Sequence, residues 1–192
     1  MSTTTTTTTT TLTATPRVLS VAKSTMHSPS KTPVPSITLI ADLGVAGDCH
    51  AGKTIQHFFP QQQNNPTGTN LRQVHLVPAE TLREVSQQGS PGVPLTAGQI
   101  GENVTTEGIE LAGLPRGTEV HFGDSEAVIV LTGVREPGPG LDRVRAGLRE
   151  EFLGISRRWA GVMGVVTQGG EVRPGMGITL VKPGRIEALP VV

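Results

Sequence analysis

The stretch GTEVHFGDSEAVIVLTGV (Gly117–Val134) decides the fold. Two runs rich in β-branched residues flank the polar segment Gly123–Ser125, which is typical of two antiparallel strands joined by a tight turn. Similar short runs recur along the chain, for example at Arg17–Lys23 and Leu71–Val77, and 24 glycines and 15 prolines separate them. About eight to ten short strands follow from this pattern. We therefore predict a mainly β protein, either a barrel or a sandwich.

Two segments are predicted to be helical. The segment PAETLREVSQQG (Pro78–Gly89) has a proline near its start and a glycine as its stop. Farther along, Leu141, Val144, Leu148 and Phe152 follow helical spacing. The expected architecture is thus many strands with a few short helices.

Charge and composition exclude several classes of function. Sixteen basic residues balance sixteen acidic residues, and a neutral chain is not typical of proteins that bind nucleic acid or membrane surfaces. No apolar run approaches the roughly 20 residues needed to span a bilayer. The single cysteine, Cys49, cannot form an internal disulfide. A reducing compartment, the cytoplasm, is therefore the expected location.

The N-terminal segment is a Thr-rich tail, with an unbroken run at Thr3–Thr11. A tract without apolar periodicity cannot build a core. We predict that residues 1–16 are disordered and that residues 17–192 form a single domain. A Ser/Thr-rich start with no acidic residue before Asp42 also has some features of an organellar transit peptide, so a mitochondrial location is the alternative.

The segment GDCHAG (Gly47–Gly52) is the first candidate for chemistry. In an extended chain Asp48 and His50 share one face, and Cys49 points to the other. An Asp beside a His can orient the imidazole for proton transfer or for ligand binding. The alternative is a tight turn with a capping Asp and a solvent-exposed His.

A metal site is the second possibility for these residues. Asp48, His50, His57 and His75 are candidate ligands, but no pair of them has a recognised metal-site spacing. A single cysteine excludes a thiolate cluster. We therefore predict no dedicated transition-metal site.

Two further segments carry polar residues next to apolar runs. Arg72 is read as part of the strand at Leu71–Val77, on its more apolar side, which favours pairing with an anion. Glu102 and Asn103 follow a glycine directly before a strand. An Asn can offer a donor and an acceptor to a planar ligand, although an Asx-type turn is the alternative.

The loop TGVREPGPGLDRVRAGL (Thr132–Leu148) has the features of an anion-binding loop. Arg135 lies at a strand end before two Pro-Gly dipeptides, and its guanidinium can bind carboxylate or phosphate through two hydrogen bonds. A helix after Gly140 would direct backbone N–H groups toward an anion. For Arg145 and Arg149 a charged, solvent-exposed helix face is the favoured interpretation.

Taken in order, these segments resemble the MOSC domain, the molybdenum-cofactor sulfurase C-terminal domain family, in its stand-alone form. The resemblance covers the chain from about Arg17 to Val181. It implies a β-barrel with a few short helices and a cleft that binds molybdenum cofactor or a related anionic heterocyclic ligand. The segments that carry it are GVAGDCHAG, LRQVHLVPAETL, AGQIGENVTTEGIELAGLPRGTEVHFG, LTGVREPGPGLDRVRAGL and AGVMGVVTQGGEVRPGMGI.

The family's site residues can be carried over by position. Gly-Asp-x-His-x-Gly, Gly-Glu-Asn and Arg-x-Pro motifs all have counterparts here. The family's cysteine does not, because Gly138 stands where Arg-x-Pro-Cys would place it. A glycine cannot act as nucleophile or sulfur carrier, so Cys49 is the candidate catalytic substitute. By resemblance, the cofactor-binding residues are Asp48, His50, Gly52, Arg72, Gly101, Glu102, Asn103, Arg135 and Asp142.

Two functions follow from the resemblance. In the first, the protein binds molybdenum cofactor and takes part in sulfur transfer or in the reduction of N-hydroxylated compounds. The family also implies pyridoxal phosphate binding, a sulfur-carrier role, and a sulfur donor or molybdoenzyme as partner. In the second, the protein is a catalytically inactive binding or carrier module, because Gly138 replaces the cysteine. An interaction domain without a small ligand is a third reading.

Overall fold

The computed structural model describes residues 15–56, 67–88, 93–155 and 159–192. Most of the segment predicted to be disordered, residues 1–14, lies outside the described residues. His57, one of the candidate metal ligands, lies outside them as well.

Strands make up most of the regular secondary structure in the described residues, and they are short. Two α-helices and one 3-10 helix accompany them, so the prediction of a mainly β protein with a few helices is confirmed. The strands are β1 (Arg17–Lys23), β2 (Thr32–Val34), β3 (Ile37–Ile40), β4 (Gly44–Val45), β5 (Val74–Pro78), β6 (Val104–Glu107), β7 (Glu119–Phe122), β8 (Val128–Val134), β9 (Val162–Gln168), β10 (Gly170–Val172) and β11 (Ile178–Val181).

The strands form one large sheet and one small sheet. The large sheet has the order β11-β7-β8-β9-β5-β6-β1-β2, and the small sheet has the order β10-β3-β4. The pairing of β5 with β6 is parallel, and the helix α1 (Ala79–Gln88) connects these two strands. The predicted hairpin is confirmed, because β7 and β8 pair in antiparallel fashion.

The expected barrel is not formed, because the large sheet does not close on itself. Each strand has only two edges, and β1 uses one for β6 and, over Val21–Lys23, the other for β2. Only the start of β1 remains available for the opposite end of the sheet. There, among the described residues, one isolated bridge joins Arg17 to Gly177 just before β11.

The second predicted helical segment is divided into two parts. A 3-10 helix spans Pro139–Arg143, and α2 spans Leu148–Gly154. Gly147 separates them with a left-handed φ of 81°, which a side chain would disfavour. Leu141, Leu148 and Phe152 nevertheless all bury in one apolar cluster with α1, so their spacing correctly indicated a shared buried face.

The core is aliphatic, as the composition requires. The main cluster fills the space against the two sheets, with Phe122, Ile129 and Leu76 fully buried. A second cluster lies between β5, the two α-helices and the 3-10 helix. No helix in the described part of the chain has the length and apolar character needed to cross a membrane.

Candidate functional site

A polar cavity of about 150 Å³ lies against the central strands of the large sheet, β8, β9, β5 and β6. The starts of β6 and β9 and the end of β8 meet at the level of Leu76 in β5, since Leu76 is in register with Val104 and Val162, and Val134 with Val162. Loops between strands supply most of the walls. The predicted site residues that line the cavity are His50, Arg72, Gly101, Asn103 and Arg135.

Asp48 lies buried behind the cavity, where it links several segments of the chain. Its carboxylate lies 2.8 Å from the Lys31 ammonium, and both side chains are almost fully buried. It also accepts hydrogen bonds from the backbone N–H of Ser24 and from the Asn103 side chain. Burial alone would raise the pKa of Asp48, but the hydrogen bond from His50 and the charge of Lys31 hold that pKa well below its usual range.

The backbone around Asp48 is a turn and not the extended chain that the sequence suggested. Gly47 has a φ of 74°, and Asp48 Oδ1 accepts the backbone N–H of His50 at 3.0 Å, as in an Asx turn. Asp48 and His50 do lie together, with 3.3 Å between Oδ1 and Nδ1.

Cys49 lies on the same side as these two residues, so the prediction that it points away from His50 was wrong. The turn brings Cys49 Sγ to 3.2 Å from His50 Nδ1. Burial and the neighbouring Asp48 charge raise the pKa of the Cys49 thiol. Cys49 does not line the cavity, and its catalytic role stays a prediction.

Arg72 reaches the cavity from a position before β5, not from within the strand as predicted. Asn70 Oδ1 accepts the backbone N–H of Arg72, and this turn delays the start of β5 to Val74. The Nε atom of Arg72 is buried and has no hydrogen-bond partner. Burial lowers the pKa of its guanidinium.

Arg135 follows the end of β8 and lines the other side of the cavity. Its backbone is fixed by hydrogen bonds with Gly161 and Ala160, and its Nη1 donates to the carbonyl of Ile100 at 2.8 Å. Burial, together with the charge of Arg72, lowers the pKa of Arg135 to about 10. The guanidinium therefore keeps its charge at neutral pH.

Glu102 and Asn103 are buried, and their side chains form hydrogen bonds with other groups of the protein. Asn103 donates to Asp48 and to the carbonyl of Ala22, and its Oδ1 accepts the backbone N–H of His75. Glu102 Oε1 accepts from Gly98 N–H and from the Thr105 hydroxyl, while burial raises the pKa of this carboxyl. Both residues hold the cavity wall in place, and a direct role toward a ligand stays a prediction.

The remaining predicted positions lie away from the cavity lining. Asp142 is exposed, and its Oδ1 accepts the backbone N–H of Arg149 at the start of α2. Gly52 allows the side chain of Gln56 to approach closely, to 2.5 Å from where a Cβ would stand. At Gly138 an added Cβ would meet nothing within 4 Å.

Two titratable residues of the cavity lining escaped the site prediction. Lys31 is distant in sequence from Asp48 and has no motif around it, so its burial could not have been foreseen. His75 was considered only as a metal ligand. It lines the cavity and bonds to the carbonyl of Ala160 through Nε2 at 2.6 Å. Burial and the nearby Arg135 charge lower its pKa well below the ordinary value.

Comparison with known proteins gives a consistent picture of the family and fold. The family model described as the MOSC domain matches residues 63–188. No curated protein matches the sequence.

Solved structures with the same fold include three bacterial proteins. The YuaD protein from Bacillus subtilis is 22% identical, with a TM-score of 0.69, over 86% of this chain and 95% of its own. YiiM from Geobacillus stearothermophilus is 20% identical, with a TM-score of 0.63, over 88% of this chain and 76% of its own. YiiM from Escherichia coli is 17% identical, with a TM-score of 0.59, over 91% and 73%.

Proposed function

The chain belongs to the MOSC domain family, and from this premise we propose that it binds molybdenum cofactor through the cofactor's anionic group. In this proposal it acts as a binding or carrier module. A molybdoenzyme that gives or receives the cofactor is the partner that such a module implies.

Positive charge that no salt bridge neutralises carries the proposal. Arg72 and Arg135 are close enough to lower the pKa of Arg135 by repulsion, and Glu102 only partly offsets this effect. No acidic side chain in residues 15–56, 67–88, 93–155 or 159–192 lies within 4.0 Å of either guanidinium. The buried Nε of Arg72 lacks a partner, and a buried charged donor without one is costly. A bound anion would supply the missing charge and acceptor.

The size of the cavity limits which part of the ligand enters it. A cavity of about 150 Å³ is comparable to one that holds a benzene-sized ligand, whereas sites for drug-sized ligands are roughly 300–1,000 Å³. The phosphate group of the cofactor therefore fits, and its multi-ring pterin would extend outward. Planar guanidinium groups suit phosphate oxygens well.

Bound molybdenum cofactor would supply a metal centre that can change its oxidation state. The other cavity residues have supporting roles in this proposal. Lys31 is already neutralised by Asp48, so the two arginines supply the net charge. Because burial lowers the pKa of His50, its ring is neutral near pH 7 and can position a ligand by hydrogen bonding.

A second candidate function is sulfur transfer or the reduction of N-hydroxylated compounds by an enzyme that uses Cys49. The short distance between Cys49 Sγ and His50 Nδ1 favours it, since an imidazole can activate a thiol. The raised pKa of Cys49 works against it, because the thiolate is the reactive form. If the Cys49→Ser substitution abolished sulfur transfer or the reduction of an N-hydroxylated compound, the result would support the enzyme over the binding module.

Pyridoxal phosphate binding and a sulfur-carrier role are not part of the proposal. The cofactor pyridoxal phosphate forms a Schiff base with a lysine, and Lys31, the lysine of this cavity, is held in a buried ion pair with Asp48. A sulfur carrier needs a thiol at the cavity, and Gly138 provides none.

Equilibrium binding to the purified full-length chain tests the proposal. The probes are the phosphate-bearing pterin released from a denatured molybdoenzyme and, separately, inorganic phosphate. We expect the pterin to bind more tightly than phosphate, and Arg135→Ala to weaken both by about 10- to 100-fold. The control Arg116→Ala removes an exposed arginine and should change neither.

The outcomes separate the parts of the proposal. Equal affinities for pterin and phosphate would overturn the assignment of the cofactor. Unchanged affinity in Arg135→Ala would overturn the cavity as the anion site.

A further inference from the structure

Next to the cavity, three side chains with soft ligand atoms come together from two parts of the chain. One ring nitrogen each from His27 and His50, and the sulfur of Cys49, lie within 4.8 Å of one another. From this cluster we propose that His27, Cys49 and His50 form a binding site for a zinc ion. His50 also lines the cavity, but His27 and Cys49 do not, so variants of these two residues test the zinc site separately from the anion cavity.

The spacing of the ligand atoms is close to what zinc requires. Tetrahedral zinc with Zn–S of about 2.3 Å and Zn–N of about 2.0–2.1 Å separates sulfur from nitrogen by about 3.6 Å. Cys49 Sγ lies 3.2 Å from His50 Nδ1. The ring centroids of His27 and His50 are 5.1 Å apart at an interplanar angle of 69°. Small side-chain rotations are enough to direct all three ligands at one ion.

Hydrogen bonds hold the two ligand-bearing segments against each other. The backbone N–H of Cys49 donates to the carbonyl of Ser24 at 2.8 Å, and Asp48 Oδ2 accepts the backbone N–H of Ser24. The segment that leads to His27 is thereby fixed beside the turn that carries Cys49 and His50. Such preorganisation lowers the cost of assembling the site.

His27 also has the kind of outer partner that metal-bound histidines commonly show. Its Nε2 lies 2.8 Å from the carbonyl of Gln56, which can accept its N–H. The proton of the His27 ring is thus directed to Nε2, and the lone pair is on Nδ1.

The ligand set selects the metal and leaves room for a further ligand. Thiolate and imidazole suit zinc better than magnesium or calcium, which prefer oxygen. His27 is exposed, and Cys49 and His50 are partly exposed, so an ion can enter from solvent. Three protein ligands leave one position of a tetrahedral site for water or an anion.

Zinc binding to the purified full-length chain tests the proposal, with Zn²⁺ alone in competition with a chromophoric chelator. We expect one Zn²⁺ per chain, with affinity reduced at least about tenfold in both His27→Ala and Cys49→Ser, since even outer-shell changes cost 10- to 100-fold. The control His121→Ala should bind as the unmodified chain does. Cobalt substitution should give a thiolate-to-metal absorption band that Cys49→Ser removes.

Two results would overturn the site: no stoichiometric zinc binding, or unchanged affinity in both His27→Ala and Cys49→Ser. Because His27 is exposed, its replacement should leave the fold intact, which circular dichroism can check. His27→Ala should also bind inorganic phosphate normally. Failure of the zinc site is thus distinguishable from failure of the anion cavity.

Discussion

The turn at residues 47–50 and the segment at residues 135–138, which follows β8, differ in how closely their surroundings pack against them. In the turn, the Asp48 carboxylate is bonded to Lys31, Ser24, His50 and Asn103. In the loop, Gly138 has no neighbour within 4 Å of an added Cβ.

The difference teaches that the packing of the cavity and the packing around Gly138 are independent of each other. Residues of the cavity and of the turn behind it are held by a buried polar network, and such networks leave little freedom for change. A side chain added at Gly138 would instead project into open space. A substitution at Gly138 should therefore leave the cavity intact.

Replacing the buried acid should have the largest effect on stability. Asp48→Asn leaves the buried Lys31 ammonium without its counter-charge, and breaking a buried ion pair in this way costs about 3–5 kcal/mol. Urea unfolding measures the change. Asp142→Asn is the matched control, since Asp142 is exposed and should cost within about 0.5 kcal/mol. Equal losses in the two variants would contradict the contrast between turn and loop.

Lowering the pH should have an intermediate effect on the free energy of unfolding, through the buried ring of His75. The unfolded chain protonates His75 near 6.5, but the pKa of the buried ring in the folded protein lies well below that value. The stability this provides is present above pH 6.5 and is lost as pH falls toward the folded pKa, by up to about 1.4 kcal/mol per pH unit.

His75→Gln provides the control for this pH dependence. It removes the titrating ring, so its unfolding free energy should vary less between pH 6.5 and more acidic values. His50 contributes in the same direction and remains in the variant. If the unfolding free energies of the two proteins varied with pH in parallel, the His75 ring would not be the source of the pH dependence.

Restoring the family cysteine should have the smallest effect on stability. Gly138→Cys places its side chain in open space, so the unfolding free energy should change by no more than about 0.5 kcal/mol. The new thiol should react with a disulfide reagent faster than Cys49, whose pKa is raised.

Gly161→Cys gives the contrasting case. Its Cβ would stand 2.5 Å from the carbonyl of Leu76, at a φ of 105°, so this variant should be strongly destabilised. If thermal unfolding shows Gly138→Cys to be as unstable as Gly161→Cys, the loop is not as open as described.

The local elements could be predicted from the sequence because their causes are local. Alternating apolar residues around Gly123–Ser125 specify the β7–β8 hairpin, and Gly89 follows the predicted α1 directly. Errors arose where one side chain bends the backbone. Asn70 and Asp48 each accept a nearby backbone N–H, which shortened β5 and turned Cys49 toward His50.

Features set by distant contacts could not be predicted. Closure of the sheet depends on how β1 divides its edges between β2 and β6, and no short-range pattern encodes this. The pairing of Lys31 with Asp48 joins loops that only the folded chain brings together. Arg135 does line the cavity, and its place in the candidate site could be predicted because its position at a strand end before a rigid loop is visible in the sequence.

The empty space at Gly138 also bears on how such a protein can change over evolutionary time. A cysteine at this position can be gained or lost by one substitution, because no neighbour must adjust to the added side chain. Gly161 has no such freedom, because an added Cβ would meet neighbouring atoms. Asp48 has none either, because its replacement would leave the buried Lys31 ammonium without its counter-charge. A reactive side chain can therefore be added or removed at position 138 independently of the residues that line the cavity.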